Sequence, residues 1–167
     1  MEVFMAIQST TESKNKNFSS GAGPEKEIRN IIETTAAAFR ERDINKIVSF
    51  YAPEVVAFDI EPPLQYLNKN DYKKSFDILS EFQDGASLEP NDLNITVNEN
   101  LGFSRCLFHF TGTTKQDGKK FDFWMRNTTC FEKINGQWLI VHEHNSVPVN
   151  IMEGKARTDL KPETLHS

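Results

Sequence analysis

The chain has 167 residues, of which 38% are hydrophobic and 26% charged, and its formal net charge is -5. This length and apolar content predict one domain with one core. A net negative charge without blocks of like charge argues against nucleic acid or an anionic membrane as the main partner. No run has the length of a membrane span or the basic start of a secretory signal, so a cytoplasmic location is expected.

The first segment is polar. Residues 1–23 are dominated by Ser, Thr, Asn, Lys and Gly, a composition that buries too little apolar area to offset the entropy of ordering. The sequence therefore predicts a disordered tail over residues 1–23, a single domain over 24–148 and a C-terminal extension over 149–167.

Three helices are predicted in the first half of the domain. Pro24 begins a helix that runs to about Arg42, and Asp43 caps a short second helix that Pro53 ends. A third helix is expected over Asn70 to Phe82. Apolar residues at intervals of three and four define their buried sides: Ile28, Ile31, Ile32 and Phe39, then Ile44, Ile47, Val48 and Tyr51, then Tyr72, Phe76 and Leu79.

Strands account for most of the second half. Alternating patterns predict strands over Glu54 to Ile60, Asp92 to Asn98 and Ser104 to Lys115. A hairpin follows from Phe121 to Pro148, reversed at Asn135-Gly136, a pair that tolerates positive φ. The expected fold is α+β, with about three helices on one face of a conical, curved antiparallel sheet and a cavity between the two layers.

The hairpin carries the polar side chains of greatest interest, but its register has two solutions. Strict alternation places His142 and His144 on one face and Glu143 and Asn145 on the other. A two-residue loop would bring Asn127 opposite His144, whereas a bulge would shift the pairing by one residue and bring Arg126 and Thr128 to the histidines. Such a slip changes the face of every side chain, so the sequence leaves this point open.

Four segments carry a family resemblance that extends from about Glu25 to Pro162. They are FDIEPPLQY (58–66), GKKFDFWMRNT (118–128), NGQWLIVHEHNSVP (135–148) and GKARTDLKP (154–162). Together they resemble the SnoaL-like branch of the nuclear transport factor 2-like, or cystatin-like, superfamily, and its ketosteroid isomerase homologues. The hairpin is also similar to the association domain of calcium/calmodulin-dependent protein kinase II.

The resemblance implies a conical α+β barrel that pairs as a homodimer through the outer face of its sheet. It also implies a pocket inside the cone, but no particular function. In the association domain, arginines line that pocket, and the shared turn aligns them with Thr111, Thr129 and Asn145. None of these is charged, so a cation in the cavity would have to be Arg126 or Lys73.

Asp59 is the first catalytic candidate. It ends an apolar strand, and a carboxyl group inside an apolar cone has a raised pKa and can act as a general base near neutral pH. The resemblance points the same way, because isomerases of the superfamily use such an acid. The alternative is that Asp59 only caps the turn before Pro62.

The histidines have three possible roles. His144 is predicted to donate a hydrogen bond to an enolate oxygen, with His109 or Asn145 as alternatives, and His142 is predicted to contact ligand. Two histidines spaced as H-x-H can bind a metal when a third ligand converges, but no metal motif supports this and no metal is expected. Both histidines could instead be structural or lie in a dimer interface.

Three further side chains are candidates for ligand contact. Arg126 is expected to orient an anionic or carbonyl oxygen, or else to pair with Glu143 across the hairpin. Tyr51 and Trp124 are expected to line an apolar pocket, although such aromatic residues are more often plain core.

These residues predict a cofactor-independent isomerase, dehydratase or cyclase that transfers a proton on a small apolar carbonyl compound. The alternative is a non-catalytic ligand-binding or oligomerisation module, so enzymatic activity is uncertain from sequence. The deciding feature is whether Asp59 lines one cavity with His142 and His144, because separation onto opposite faces would remove the argument for catalysis.

Overall fold

The computed structural model describes residues 23–163, in which the helices and one strand come first and the remaining strands follow. The helices are α1 (Pro24–Glu41), α2 (Ile44–Ser49) and α3 (Lys69–Ser75), followed by a 3-10 helix (Phe76–Glu81). The strands are β1 (Tyr51–Phe58), β2 (Ser87–Asn98), β3 (Leu101–Thr113), β4 (Lys120–Ile134), β5 (Gln137–Ser146), β6 (Val149–Asn150) and β7 (Lys155–Ala156). Apart from Gly23, the predicted disordered tail lies outside the described residues.

Helix α1 forms as its sequence predicts. Pro24 occupies the first turn, where the missing N–H costs nothing. Ile28, Ile31 and Ile32 are buried along one stripe, which faces the sheet. Arg42 ends the helix with φ 60°, and its N–H bonds to backbone carbonyls of the last turn.

Helix α2 is shorter than predicted. The Asp43 side chain accepts a hydrogen bond from the Lys46 N–H at 2.9 Å, which confirms the cap. The helix then ends at Ser49, so the prediction that it reaches Pro53 is wrong. Tyr51 begins β1, and Pro53 lies inside that strand, where the pairing with β5 is irregular.

The main sheet has five strands in the order β1, β5, β4, β3, β2. Strand β1 joins β5 in parallel, and the other three pairings are antiparallel. Strand β2 begins at Ser87, earlier than predicted, and contains Pro90. An edge strand tolerates proline, and a register shift between Asn91 and Asn94 relieves the pairing there.

The hairpin combines a tight turn with a bulge, and this settles its sidedness. Asn135 and Gly136 have φ of 50° and 84°, as a two-residue loop requires. Phe131 pairs with Ile140, but the next partner of Cys130 is His142, so Val141 is extra. Beyond this bulge every β5 side chain has changed face.

The helices cover the concave face of the curved sheet and enclose the core between the two layers. The most deeply buried apolar side chains come from both layers: Ile28, Ile47, Val55, Leu79 and Phe131. The predicted α+β class, with helices segregated on one face of the sheet, is confirmed. Among residues 23–163, none of the helices combines the length and apolar character that a membrane span demands.

Candidate active site

Polar side chains occupy the centre of the otherwise apolar concave face. Asn127 and Thr129 of β4 are each 4% exposed, and Glu143 of β5 is 8% exposed. The strand register sets Thr129 beside Glu143 and Asn127 beside Asn145. Buried polar groups need hydrogen-bond partners. Asn127, Thr129, Glu143 and Asn145 provide them for one another, and Glu143 also provides them for Tyr51 and Tyr72.

Glu143 is the centre of this polar cluster. Its Oε2 accepts hydrogen bonds from the Tyr51 hydroxyl at 2.5 Å and the Tyr72 hydroxyl at 3.1 Å. Its Oε1 accepts one from Asn127 Nδ2 at 3.1 Å. The carboxyl group therefore links β1, α3, β4 and β5, which are distant in sequence.

Burial changes the acidity of all three groups. Desolvation raises the pKa of Glu143, although the hydrogen bonds from Tyr51, Tyr72 and Asn127 oppose this rise. Burial, with the adjacent Glu143 charge, holds the pKa of Tyr51 and of Tyr72 well above the ordinary tyrosine value. The two phenols therefore keep their protons and act as donors.

Asn127 orients the rest of the cluster. Its Nδ2 donates to Glu143 and also to Asn145 Oδ1 at 2.9 Å, and its Oδ1 accepts from the Thr129 hydroxyl at 3.0 Å. The Cys106 thiol lies 3.7 Å from the same Oδ1, and desolvation raises its pKa to about 12, so it is an unreactive thiol. Because Asn145 Oδ1 is taken by Asn127, its N–H groups face the other way.

Asp59 lies at the half-buried end of the cluster, directly after β1. Its Oδ1 accepts a hydrogen bond from the Ile60 N–H at 2.8 Å, which matches the predicted turn role. Desolvation nevertheless raises its pKa, opposed by the Ile60 N–H and by the nearby side chains of Asn145 and Tyr72. The carboxyl group therefore both supports the turn and faces the polar cluster.

The prediction that His142 and His144 join Asp59 is wrong. Both histidines lie on the convex face, where the Phe58 ring packs 4.9 Å and 5.7 Å from theirs. His142 Nδ1 is also 2.8 Å from the Val56 carbonyl oxygen. The bulge at Val141 is the physical reason, since it sends Glu143 inward and both histidines outward. The argument for catalysis drawn from the sequence is therefore removed, and a catalytic role of Asp59 has to rest on the residues that do lie beside it.

Three more predicted ligand contacts lie on the convex face. His109 stacks on Trp124 with ring centres 4.5 Å apart, and its Nε2 is 2.8 Å from Asp122 Oδ1. Arg126 is exposed on the same side of β4, so it cannot pair with the inward-facing Glu143. Of the eight residues predicted for the site, the structure brings together Tyr51, Asp59 and Asn145.

Glu143, Tyr72 and Asn127 are the functional candidates that sequence reasoning missed. A signal existed in β4, where Asn127 and Thr129 lie between Met125 and Phe131 on the buried face. Buried polar residues on β4 require polar partners on β5, and Glu143 and Asn145 provide them once the bulge has set the register.

Two surface clefts lie away from the polar cluster, and the described residues form no metal site. The clefts, of about 610 and 540 Å³, share Arg40, Gln83 and Asp84 among their lining residues, and neither is lined by a residue of the cluster. Within residues 23–163, no three His, Cys, Asp or Glu side chains converge as metal ligands would. The H-x-H pair therefore has no third ligand in the described part of the chain.

The chain belongs to the SnoaL-like family, since the model of the SnoaL-like domain matches residues 28–150. A nuclear transport factor 2-like protein of unknown function from Pseudomonas putida KT2440 is 32% identical, with 83% of this chain and 96% of that one covered and a TM-score of 0.73. No protein of curated function matches the chain.

Two more solved structures share the fold at lower identity. One, from Xanthomonas campestris, is provisionally named a calcium/calmodulin dependent protein kinase II association domain, with 23% identity, coverage of 78% and 91%, and a TM-score of 0.67. Another, from Novosphingobium aromaticivorans DSM 12444, is provisionally named a scytalone dehydratase, with 13% identity, coverage of 74% and 83%, and a TM-score of 0.67. Because structures with such different names share this fold, the fold does not determine the function, which has to be argued from the site.

Proposed function

We propose that the protein binds a small, apolar carbonyl compound at the Asp59 end of the polar cluster and transfers a proton on it without a cofactor. This is the chemistry of a dehydratase, isomerase or cyclase. One observation carries the proposal: the half-buried Asp59 lies at the end of the hydrogen-bonded cluster around the buried Glu143, and desolvation raises the pKa of both carboxyl groups. Paired carboxyl groups in such surroundings are typical of sites that move protons.

The positions of the side chains suggest separate roles. Asp59 is the half-buried carboxyl group and the general base that removes a proton next to the carbonyl group. Asn145, whose N–H groups face Asp59, donates a hydrogen bond to the enolate oxygen that forms. Asp59 then returns its proton to another carbon atom in an isomerisation, to the leaving group in a dehydration, or to the alkoxide oxygen that forms when the enolate attacks a second carbonyl group in a cyclisation. Glu143, Tyr51 and Tyr72 position the cluster from behind.

Solvent deuterium incorporation tests the proposal with small ketones, enones and steroids as probes. We expect Asp59→Asn to abolish exchange and Asn145→Ala to slow it, because the first removes the base and the second removes the oxyanion donor. His144→Ala is the matched control and should leave the rate unchanged. Exchange that survives Asp59→Asn, or no exchange with any probe that binds, would contradict the proposal.

A non-catalytic module is the second candidate. The three hydrogen bonds that Glu143 accepts all come from side chains of the protein itself, as expected for a structural cluster. The convex face also exposes Leu101, Phe103 and Phe58 by 63%, 44% and 37%, which favours assembly as a homodimer. Dimer formation without deuterium exchange on any probe would select this candidate.

A further inference from the structure

Negative charge dominates the surroundings of the polar cluster. Glu143 is the one charged residue among the buried residues of the described chain, and the charges of Asp59 and Glu143 are close enough to raise the pKa of Glu143. Glu61 stands near Asp59, and its charge raises the pKa of Asp59. A ligand that approaches Asp59 therefore meets the carboxyl groups of Asp59 and Glu61, with the buried Glu143 behind them.

Arg126 and Lys73, the two basic residues that the sequence suggests for the cavity, are exposed at the surface. Arg126 is exposed on the convex face of β4. Lys73 is exposed on α3, where its Nζ bonds to Asn45 Oδ1 at 2.9 Å. Neither side chain is among the groups that affect the pKa of Asp59.

Aromatic rings complete the surroundings. Tyr72 packs against Tyr66 and Tyr51 with ring centres 5.1 and 5.5 Å apart. The half-buried Tyr66 is close enough to Asp59 for the carboxyl charge to affect its phenol. The faces of such rings attract cations, so they reinforce the carboxyl groups instead of opposing them.

A buried hydroxyl group on the same concave face lacks a partner. Ser104 pairs with Thr129 in the sheet, is fully buried, and its Oγ has no hydrogen-bond partner among residues 23–163. Buried hydroxyl groups are normally paired. The concave face therefore carries one polar group that the described side chains do not satisfy.

We propose that the site selects its ligand by charge: it accepts an uncharged compound, prefers an analogue that carries an ammonium group, and rejects one that carries a carboxylate. The inference rests on the ligand site of the proposed function and adds the chemical class of ligand. Like charges brought together away from water repel strongly, whereas an ammonium group beside Asp59 and the tyrosine rings is attracted.

Three probes that share one ring test this order: benzylamine, benzyl alcohol and benzoate. Each is titrated into the full chain at pH 7.5, with binding followed by amide chemical shifts near Asp59 and Asn145. We expect benzylamine to bind at least about tenfold more tightly than benzyl alcohol, and benzoate at least about tenfold more weakly. Benzoate binding as tightly as benzylamine, or no saturable binding of any probe, would overturn the inference.

A matched pair of variants separates local charge from net charge. Asp59→Asn and Glu54→Gln each remove one negative charge, and Glu54 is exposed on the same segment, outside the cluster. Asp59→Asn should reduce the preference for benzylamine over benzyl alcohol by about tenfold, and Glu54→Gln should leave it unchanged. An equal effect of the two variants would also overturn the inference.

The outcomes distinguish this inference from the proposed function. If the charge order is found but no ketone exchanges deuterium, the proposed catalysis fails and the selection by charge stands. If ketones that carry a carboxylate exchange as fast as neutral ketones, and Asp59→Asn abolishes both, catalysis stands and the selection by charge fails.

Discussion

Three hydrogen-bond donors converge on the Glu143 carboxyl group in the core, and its removal would leave all three without an acceptor. Unsatisfied buried donors are costly, so Glu143→Ala should lower the free energy of unfolding by about 3 kcal/mol. Glu132→Ala, at an exposed position of β4, should change it by less than about 0.5 kcal/mol. Urea denaturation measures both, and equal stability of the two variants would show that the cluster contributes little.

The raised pKa values of Glu143 and Asp59 predict how stability depends on pH. Between the carboxyl pKa of the unfolded chain, near 4, and the raised pKa of the folded one, the folded protein binds more protons. The free energy of unfolding should therefore fall as pH rises through this window. Asp122 and Asp159 have lowered pKa values, so their loss of stability occurs on acidification below pH about 4.

The check is the melting temperature between pH 4.5 and 8, in wild type and in Glu143→Gln. The wild type should melt at lower temperature as pH rises, and the variant should show a weaker dependence because one titrating group is gone. A wild-type melting temperature that rises steadily over this range would contradict the assigned directions.

At the scale of elements, Gly85 shows how closely α1 approaches the segment before β2. It has φ of 90°, and a Cβ atom there would lie 2.5 Å from the Arg40 carbonyl oxygen. Gly118 also has positive φ, but a Cβ atom there would meet nothing within 4 Å. An alanine would therefore be strained by the positive φ at both positions, but it would clash with a neighbouring atom only at position 85.

Gly85→Ala should destabilise the fold by about 3 kcal/mol, the sum of strain and overpacking, and Gly118→Ala by about 1 kcal/mol from strain alone. Thermal denaturation of both variants provides the measurement. Equal losses would mean that the backbone near Arg40 yields and that the close approach is not needed.

Local chemistry was enough to predict several elements. Pro24, the Asp43 cap and the Asn135-Gly136 turn each act through their own backbone, so the sequence contains what determines them. The bulge at Val141 is different, because nothing in the sequence of β5 marks it. It satisfies two demands at once: Ile140 must face the core beside Phe131, and Glu143 must face it beside Thr129.

The same bulge explains why the site was predicted only in part. Of the candidate residues, Tyr51, Asp59 and Asn145 lie at the polar cluster, although Tyr51 does so from a strand and not from the predicted helix. The bulge turns Glu143 and Asn145 inward together and both histidines outward, and the sequence leaves this point open because one extra residue changes the face of every side chain beyond it. The sequence predicts Tyr72 as a core residue, and the role of its hydroxyl as a hydrogen-bond donor follows only from the inward position of Glu143.

For the whole molecule, we predict a homodimer formed through the convex face of the sheet. Phe103 is exposed there by 44%, whereas Leu64, which is 92% exposed, lies in the segment between β1 and α3. Phe103→Asp should shift the protein toward monomer, because it places a charge at an apolar interface, and Leu64→Asp should not. Light scattering at micromolar concentration decides, and a monomeric wild type would refute the prediction.

The parallel pairing of β1 with β5 has a consequence for the order in which the molecule becomes complete during translation. Tyr51 and Glu143 are hydrogen-bonded across 92 positions of sequence, and Asp59 needs Asn145 beside it. In a growing chain, the hydroxyl groups of Tyr51 and Tyr72 therefore have no Glu143 to bond until β5, the last strand of the main sheet, has left the ribosomal exit tunnel. A prematurely terminated polypeptide that lacks β5 contains Tyr51 and Tyr72 but not Glu143, the acceptor for both of their hydroxyl groups.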